Sequence, residues 1–420
     1  MKLFFQIVYN IIIIPLFWIV LKLLQFKNEK IKRGIEGRKN MFSLLQKQMS
    51  FLNKSEKIIL FHSSSLGEFE QAKPIIKLLK KKIPNLNIVV SFFSPSGFEN
   101  VKKNDFDFKT YLPFDTKNNA KNFLDILNPN IVIFLTYDIW PNLVWELKRR
   151  NTNMVVINSR LRQKNFFAKL FYKIVFNELN FIYTISEYTK NDFVENKILF
   201  PKIYTVGDTR FDQIKLRSES DSQIISSKII EQKNILTIGS SYEKDEKIVL
   251  NPILKLSNEI ENFLCFIVPH EPTQKNIFRI EKFFSQKKNT IRVSKLEKYN
   301  GEKIIIVDSI GILFSLYKFS NLVFIGGSFK KNIHNVVEPA IFSCPIICGP
   351  KFQNSIEAID LVSLKGIIVV RNEDEFYNYS KSILLNRNLQ NEIGKISKNY
   401  VEEKLGATKI ILEKITELLQ

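Results

Sequence analysis

Short β-branched runs recur along this chain, each followed by a longer stretch with apolar residues at helical spacing, and that alternation limits the folds open to it. The first series is IILF at 58–61, IVVSFF at 88–93, IVIFLT at 131–136 and MVVIN at 154–158. A second comprises ILTIG at 235–239, LCFIV at 264–268, IIIVD at 304–308, LVFIGG at 322–327, IIC at 346–348 and IIVV at 367–370. Runs this continuously apolar are strands buried on both faces, as in a parallel sheet covered by helices on both sides. Two series imply two Rossmann-like α/β halves. Ligands of such sheets bind beyond the carboxyl ends of the strands, so the expected active site is a cleft between facing halves.

At 420 residues the chain exceeds what one hydrophobic core organises. The polar, Ser-rich stretch around Arg217-SESDSQ suggests a hinge over 207–233, between an N-terminal half at 27–206 and a C-terminal half at 234–395. Residues 396–420 read as a C-terminal helix with apolar Ile396, Leu405, Ile410, Ile411 and Leu412. With 45% hydrophobic and 25% charged residues the composition excludes a mainly disordered protein. The formal charge of +20 attracts polyanions, whether nucleic acid, anionic lipid or a phosphorylated glycolipid. Charge alone does not choose among them, and lysines scattered over solvated helix faces account for part of the excess. Only Cys265, Cys344 and Cys348 are present, without a disulfide framework or a paired CxxC zinc pattern, which favours a reducing, cytoplasmic location.

Residues 3–24, LFFQIVYNIIIIPLFWIVLKLL, are about long enough to cross a hydrocarbon core but are interrupted by Gln6, Asn10, Pro15 and Lys22. No small-residue cleavage site follows; Lys27, Lys30, Lys32 and Arg33 do, so residues 1–26 read as a retained membrane anchor with the body on the cytoplasmic side, near anionic headgroups. The competing reading is a buried helix of a soluble domain.

Several turns at strand ends carry residues suited to chemistry. Ser63-Ser64-Ser65-Leu66-Gly67-Glu68 follows a strand and opens a helix. Ser65 and Glu68 fit a capping box, while a helix N-terminus also suits an anionic ligand, and Gly67 permits close backbone approach. Ser94-Pro95-Ser96-Gly97 reads equally as an ordinary helix start. In Thr136-Tyr137-Asp138-Ile139-Trp140-Pro141, Asp138 fits either a binding carboxylate or a simple N-cap. Gly326-Gly327-Ser328 suits backbone near a phosphate or a tight turn, and His334-Asn335-Val336-Val337-Glu338 places a carboxylate able to accept from ribose hydroxyls, or another cap.

Taken in order, HSSSLGE at 62–68, SPSG at 94–97, YLPFD at 111–115, DIWPN at 138–142, NSRL at 158–161, GDTRFD at 207–212, GSS at 239–241, GGSF at 326–329, HNVVEPA at 334–340 and CGPKFQN at 348–354 resemble the Kdo (3-deoxy-D-manno-octulosonic acid) transferases. The resemblance spans nearly the whole chain and implies a GT-B fold of two Rossmann-like domains, with an N-terminal anchor at the bacterial inner membrane. It implies transfer of Kdo from CMP-Kdo to a lipid A precursor with inversion, Glu68 acting as general base, with no metal or other cofactor required and no nucleic-acid partner. By position, Ser63, Ser64, Ser65, Gly67, Ser94, Ser96, Asp138 and Arg160 become acceptor or sugar contacts. Ser240, Ser241, Gly326, Gly327, Ser328, Asn335 and Glu338 become donor contacts.

The chain departs from the family at three places. Thr136 stands where many relatives carry a carboxylate, so only Asp138 is acidic beside Tyr137; His270-Glu271 replaces an Arg-His pair; and Asn332-Ile333 replaces the glycine often found before His334-Asn335. Two other readings stay open at this point: a GT-B enzyme using a UDP-sugar and a lipid acceptor, and a non-catalytic, membrane-tethered binder of nucleic acid or phospholipid.

Overall fold

The computed structural model describes the chain apart from residues 1, 54, 103–105, 162–164, 220–224 and 287, so part of the expected hinge lies outside the described residues. Two compact units emerge, one formed by Met1–Gln213 with Leu405–Gln420 and the other by Ile214–Lys404.

The first unit is built on strands β1 (Ile58–Ser63), β2 (Asn87–Phe92), β3 (Phe108–Tyr111), β4 (Ile131–Leu135), β5 (Asn153–Ser159), β6 (Phe181–Thr184) and β7 (Lys202–Thr205). All neighbours are parallel, in the order β3-β2-β1-β4-β5-β6-β7. Every residue of β1, β2 and β4 is buried. Successive side chains point to opposite faces, so Ile59 and Phe61 join one apolar layer and Leu60 the other. The second unit repeats the plan with β8 (Asn234–Ser241), β9 (Phe263–Pro269), β10 (Thr290–Arg292), β11 (Ile304–Ile306), β12 (Leu322–Ile325), β13 (Ile346–Cys348) and β14 (Ile367–Val369). It too is wholly parallel, ordered β10-β11-β9-β8-β12-β13-β14. Strand order reverses between β1 and β4 in one sheet and between β8 and β12 in the other, and connections diverging at such a point leave a crevice at the strands' carboxyl ends.

The stretch 396–420 is not one helix. Arg387–Glu402 ends in the second unit, Gly406 turns the chain at φ +112°, and Ala407–Leu418 belongs to the first. There Ile411, Ile415 and Leu419 pack into the apolar layer of Phe69, Ile75 and Leu79 from the helix Leu66–Lys82. Asp212 fastens this return by accepting from the amides of Gly406 (2.8 Å) and Thr408 (2.7 Å).

Lys2–Leu24 is helical and apolar, with a mean hydropathy of 2.3 over its most apolar window. A π-helical turn at Tyr9–Ile13 precedes Pro15, whose missing N–H cannot continue the ordinary ladder. That turn aims Tyr9 and Asn10 at the body of the unit. The Tyr9 hydroxyl donates to Asp115 (2.9 Å), Asn142 Nδ2 donates to Asn10 Oδ1 (2.9 Å), and Phe5 and Tyr9 meet Trp145 edge-on. Leu3, Phe4, Ile11, Leu16, Ile19 and Leu23 remain exposed. The helix is long enough to span a bilayer and is also docked along one side.

Asp115 is the buried centre of that docking. Burial pushes its carboxyl up from the usual carboxylate range to about 6, against the pull of the Asn142 and Leu143 amides and the Tyr9 hydroxyl. The folded chain therefore keeps a proton that the unfolded chain releases between about pH 4 and 6, and the residue's contribution to stability shrinks as pH rises through that window. Asp115→Asn has no such titration. Melting in detergent from pH 4 to 7 should show the parent's stability relative to this variant falling with pH and levelling off above about 6; a constant difference would mean that the carboxyl titrates normally.

Candidate functional site

Four sequence-selected segments of the first half end up side by side, because β2, β1, β4 and β5 are adjacent and parallel. Ser63–Glu68 follows β1, Ser94–Ser96 follows β2, Thr136–Asp138 follows β4 and Arg160 follows β5. Glu68 sits at the switch point. Its Oε2 accepts from Ser64 N (2.7 Å), Ser64 Oγ (2.7 Å) and Ser65 N (3.2 Å), while its Oε1 accepts from Thr136 Oγ1 (3.1 Å). The capping box expected from Ser65 and Glu68 is present, and it fixes a half-buried carboxylate in one orientation.

Thr136 is held in the left-handed region at φ +61°, where β-branched residues are rarely found. Its amide donates to Ile157 O (2.9 Å) and its carbonyl accepts from Ser159 Oγ (3.0 Å), so β5 clamps it on both sides. The strained backbone turns its hydroxyl onto Glu68.

The N-cap alternative for Asp138 does not hold. Its Oδ2 lies 3.0 Å from Nε2 of the fully buried His62, whose Nδ1 lies 2.9 Å from Ser91 Oγ. The helix Pro141–Arg149 receives no side-chain cap from Trp140, the residue before it; its Asn142 and Leu143 amides donate to Asp115 at 2.8 and 3.0 Å instead. Ser94 caps its own helix, accepting from Ser96 N (3.3 Å), with the two hydroxyls 3.0 Å apart. Ser63 is buried with its hydroxyl unpartnered among the described residues, and Arg160 is exposed.

In the second unit, Ser240 and Ser241 end β8, and Gly326-Gly327-Ser328 follows β12, again at the switch point. The glycines are required by packing. A Cβ on Gly326 would lie 2.3 Å from Ser240 O, and Gly327 sits at φ +87° with Asn332 O 2.1 Å from where its Cβ would be. Asp245 ties this turn down, accepting from Tyr242 N (2.9 Å), Gly327 N (2.7 Å) and Phe329 N (3.0 Å). Two amides of the glycine turn are therefore already spent. Ser241 donates to Glu246 (3.2 Å), and Ser328 Oγ donates to Ile325 O (3.1 Å) and accepts from Gly349 N (2.7 Å), so both hydroxyls work inside the scaffold. Asn335 accepts from Val337 N (2.9 Å), and Glu338 lies 3.6 Å from Arg217; burial raises its carboxyl's pKa and the guanidinium opposes that.

Sequence reasoning passed over a ring stack beside this turn. His270 and His334 stack at 4.5 Å between centroids, Tyr242 lies 4.7 and 5.5 Å from them, and the Lys330 ammonium stands 3.8 Å from the Tyr242 ring centre. Burial, with His270 and Lys330 nearby, pushes His334 down to about 4, which leaves it neutral at pH 7 with a buried Nε2 unpartnered among the described residues. The one local signal was Tyr242-x-x-Asp245, a capping box at the start of the helix Glu243–Glu259. Among the described residues, no group of three or more His, Cys, Asp or Glu side chains is placed to hold a metal ion.

Residues 38–213 match a family model described as 3-deoxy-D-manno-octulosonic-acid transferase. A bifunctional glycosyltransferase/methyltransferase of Fusobacterium nucleatum is 28% identical over 404 residues, covering 92% of this chain and 60% of that protein, so the chain spans only part of that relative's length. A 3-deoxy-D-manno-octulosonic acid transferase of Haemophilus influenzae is 27% identical over 379 residues, 86% of this chain and 87% of that one. Among solved structures, UDP-GlcNAc 2-epimerase of Neisseria meningitidis aligns with a TM-score of 0.62 at 15% identity, over 86% of this chain and 100% of that one. A glycosyltransferase of Rickettsia africae aligns at 0.56 and 16% identity, over 87% and 99%. These likenesses carry the fold, which is the GT-B class expected from the sequence.

The two glycine turns respond differently to a methyl group. Gly326→Ala meets backbone and should cost about 1–3 kcal/mol, whereas a Cβ on Gly67 meets nothing within 4 Å, and Gly67→Ala should shift stability by less than about 1 kcal/mol. Denaturant unfolding of both variants checks this, and an equal loss would contradict it.

Proposed function

From the match of residues 38–213 to the 3-deoxy-D-manno-octulosonic-acid (Kdo) transferase model and the likeness to the Haemophilus influenzae transferase, we propose that this chain is a Kdo transferase, moving Kdo from CMP-Kdo to a lipid A precursor at the cytoplasmic face of the inner membrane, as an inverting enzyme that needs no metal. The observation that carries the catalytic assignment is the state of Glu68. Three donors fix one carboxylate oxygen, and the other accepts a single hydroxyl and keeps a lone pair. It stands at the strand-order reversal beside an open glycine. A general base needs this combination of fixed orientation and spare acceptor capacity.

In the proposed reaction Glu68 takes the proton of the acceptor sugar's primary hydroxyl as that oxygen attacks the anomeric carbon. The glycosyl–phosphate bond breaks on the opposite face and CMP leaves with its electron pair. Kdo has no hydroxyl on the carbon next to its anomeric centre, which favours an oxocarbenium-like transition state. Negative charge on the departing phosphate is stabilised by main-chain amides and helix N-termini of the second unit. Ser240, Asn335 and Glu338 are the donor-side candidates whose positions leave them at least partly exposed, with Glu338 able to accept from ribose hydroxyls. Ser64 and Asp138 border the acceptor side. The apolar helix Lys2–Leu24 holds the enzyme at the membrane that contains its acceptor.

Two substitutions separate capping from catalysis. Glu68→Gln retains an oxygen for the Ser64 and Ser65 amides and presents its NH2 to Thr136 Oγ1, so the turn survives without the base. Glu68→Ala loses the cap as well, at about 1 kcal/mol. Both variants should bind CMP normally and lose transfer by orders of magnitude, measured as product mass from CMP-Kdo and lipid A precursor. Retained turnover in Glu68→Gln would remove the residue from this role. Product formed with UDP-sugars but not CMP-Kdo would favour the other GT-B reading, and salt-sensitive binding without turnover the non-catalytic one. Thr136→Val, which keeps the branched shape and deletes the hydroxyl, should lower turnover about tenfold with Thr136→Ser restoring it.

A further inference from the structure

We propose that a chamber between the helix Ile14–Leu24, the helix Glu29–Glu36 and the end of β2 is the seat of one fatty acyl chain of the phosphorylated lipid acceptor. The proposal rests on the acceptor class given above and adds where that lipid is gripped. The chamber, open on one side to solvent, offers about 200 Å³, and its walls are supplied chiefly by Leu21, Ile31, Ile35, Phe93, Pro95 and Phe114. An apolar cavity of about 150 Å³ takes up benzene, so this one accommodates several methylenes.

Arg38 also borders the chamber, but it is buried and three of its five N–H donors are spent on carbonyls of the chain itself. Its Nε donates to Leu112 O (2.8 Å), its two terminal nitrogens donate to Gly34 O and Phe93 O (2.6 Å each), and its guanidinium lies against the rings of Phe93, Tyr111 and Phe114. It braces the wall. The exposed charge in the lining is Lys30, with exposed Lys27 and Lys32 near it in the chain, which suits a lipid carrying phosphate.

Continuity with Glu68 selects the acceptor as the occupant. Phe93 and Ser94, both in the lining, donate their amides to Ser63 O (3.4 Å) and Ser64 O (2.9 Å), and Ser64 holds the Glu68 carboxylate. The chamber therefore adjoins the turn that carries the proposed base, so a lipid held there keeps its sugar headgroup within reach of Glu68. On the other side, Leu23 and Leu24 continue the apolar surface outward on the membrane helix. Phe114 also lines a second apolar chamber of about 510 Å³ with Ile14, Phe17 and Trp18, which gives a multiply acylated acceptor two neighbouring slots.

The test compares acylated and deacylated forms of the phosphorylated disaccharide acceptor in the full-length protein. Ile31 is half-buried, so Ile31→Trp fills the chamber from its rim, and Ile31→Phe is a milder filling should the larger ring disturb folding. Each methylene kept out of the chamber costs about fourfold in affinity. The filled variants should therefore lose tenfold or more in kcat/KM for the acylated acceptor and stay within twofold of the parent for the deacylated one. Equal losses on both substrates overturn the proposal. Independently of turnover, an acceptor carrying a diazirine at the chain end should crosslink to residues 31–35, 93–95 and 114, with competition by unlabelled acceptor. Labelling confined to the outer face of residues 2–24, or competition by bulk phospholipid as strong as by acceptor, overturns it as well. Failure of the parent to transfer Kdo, with the crosslinks in place, would count against the reaction and not against this site.

Discussion

Carboxylates that accept main-chain N–H groups hold this structure together at its turns. Glu68 takes the amides of Ser64 and Ser65, Asp115 those of Asn142 and Leu143, Asp212 those of Gly406 and Thr408, and Asp245 those of Tyr242, Gly327 and Phe329. A parallel sheet places its loops at strand ends, where the helix that follows starts with amides lacking partners. Charged acceptors satisfy those amides more strongly than neutral ones. In a chain with 62 basic and 42 acidic side chains, several acids are thus committed to backbone closure, which adds to the cationic bias of the remaining surface.

The same device joins fold to chemistry. Glu68 is both a cap and the proposed base, so the bonds that close its helix also orient it. Thr136 contributes through backbone strain: clamped at its amide and carbonyl by β5, it presents its hydroxyl to Glu68 from a conformation that a β-branched residue does not choose by itself. The polar breaks in the N-terminal apolar segment have a related explanation. Asn10 pairs with Asn142, and Pro15 follows the π-helical turn that aims Tyr9 at Asp115. Asn10 is thus a docking contact between the apolar helix and the body behind it, and Pro15 marks the turn that makes the docking possible.

Ten of the fourteen strands among the described residues were legible as continuous apolar runs because sheet interiors are buried on both faces. The other four, β3, β6, β7 and β10, are three or four residues long, no shorter than the legible β11 to β14, but include polar or charged residues. Of these, β3, β7 and β10 carry Lys or Arg, and β3, β7 and β10 lie at sheet edges where one side needs no apolar partner. Turns with a local signature were equally legible, as in Ser65–Glu68 and Ser94–Ser96. Long-range partners were not. Nothing near Asp138 says that the helix after it is capped by Asp115, more than twenty residues upstream, or that Asp138 itself meets a buried histidine on β1. The Tyr242, His270 and His334 stack escaped notice because its members come from three separate loops, and spacing along the chain carries no record of them.

Because the last helix packs into the first unit, that unit is discontinuous in the chain. Proteins usually fold from the amino terminus as they leave the ribosome, with earlier domains finishing before later ones. Here Phe69, Ile75 and Leu79 wait for Ile411, Ile415 and Leu419, which emerge only after all of 214–404. During synthesis the amino-terminal half therefore carries a bare apolar strip on its Leu66–Lys82 helix, and the final dozen residues act as the latch that completes a structure begun some four hundred residues earlier.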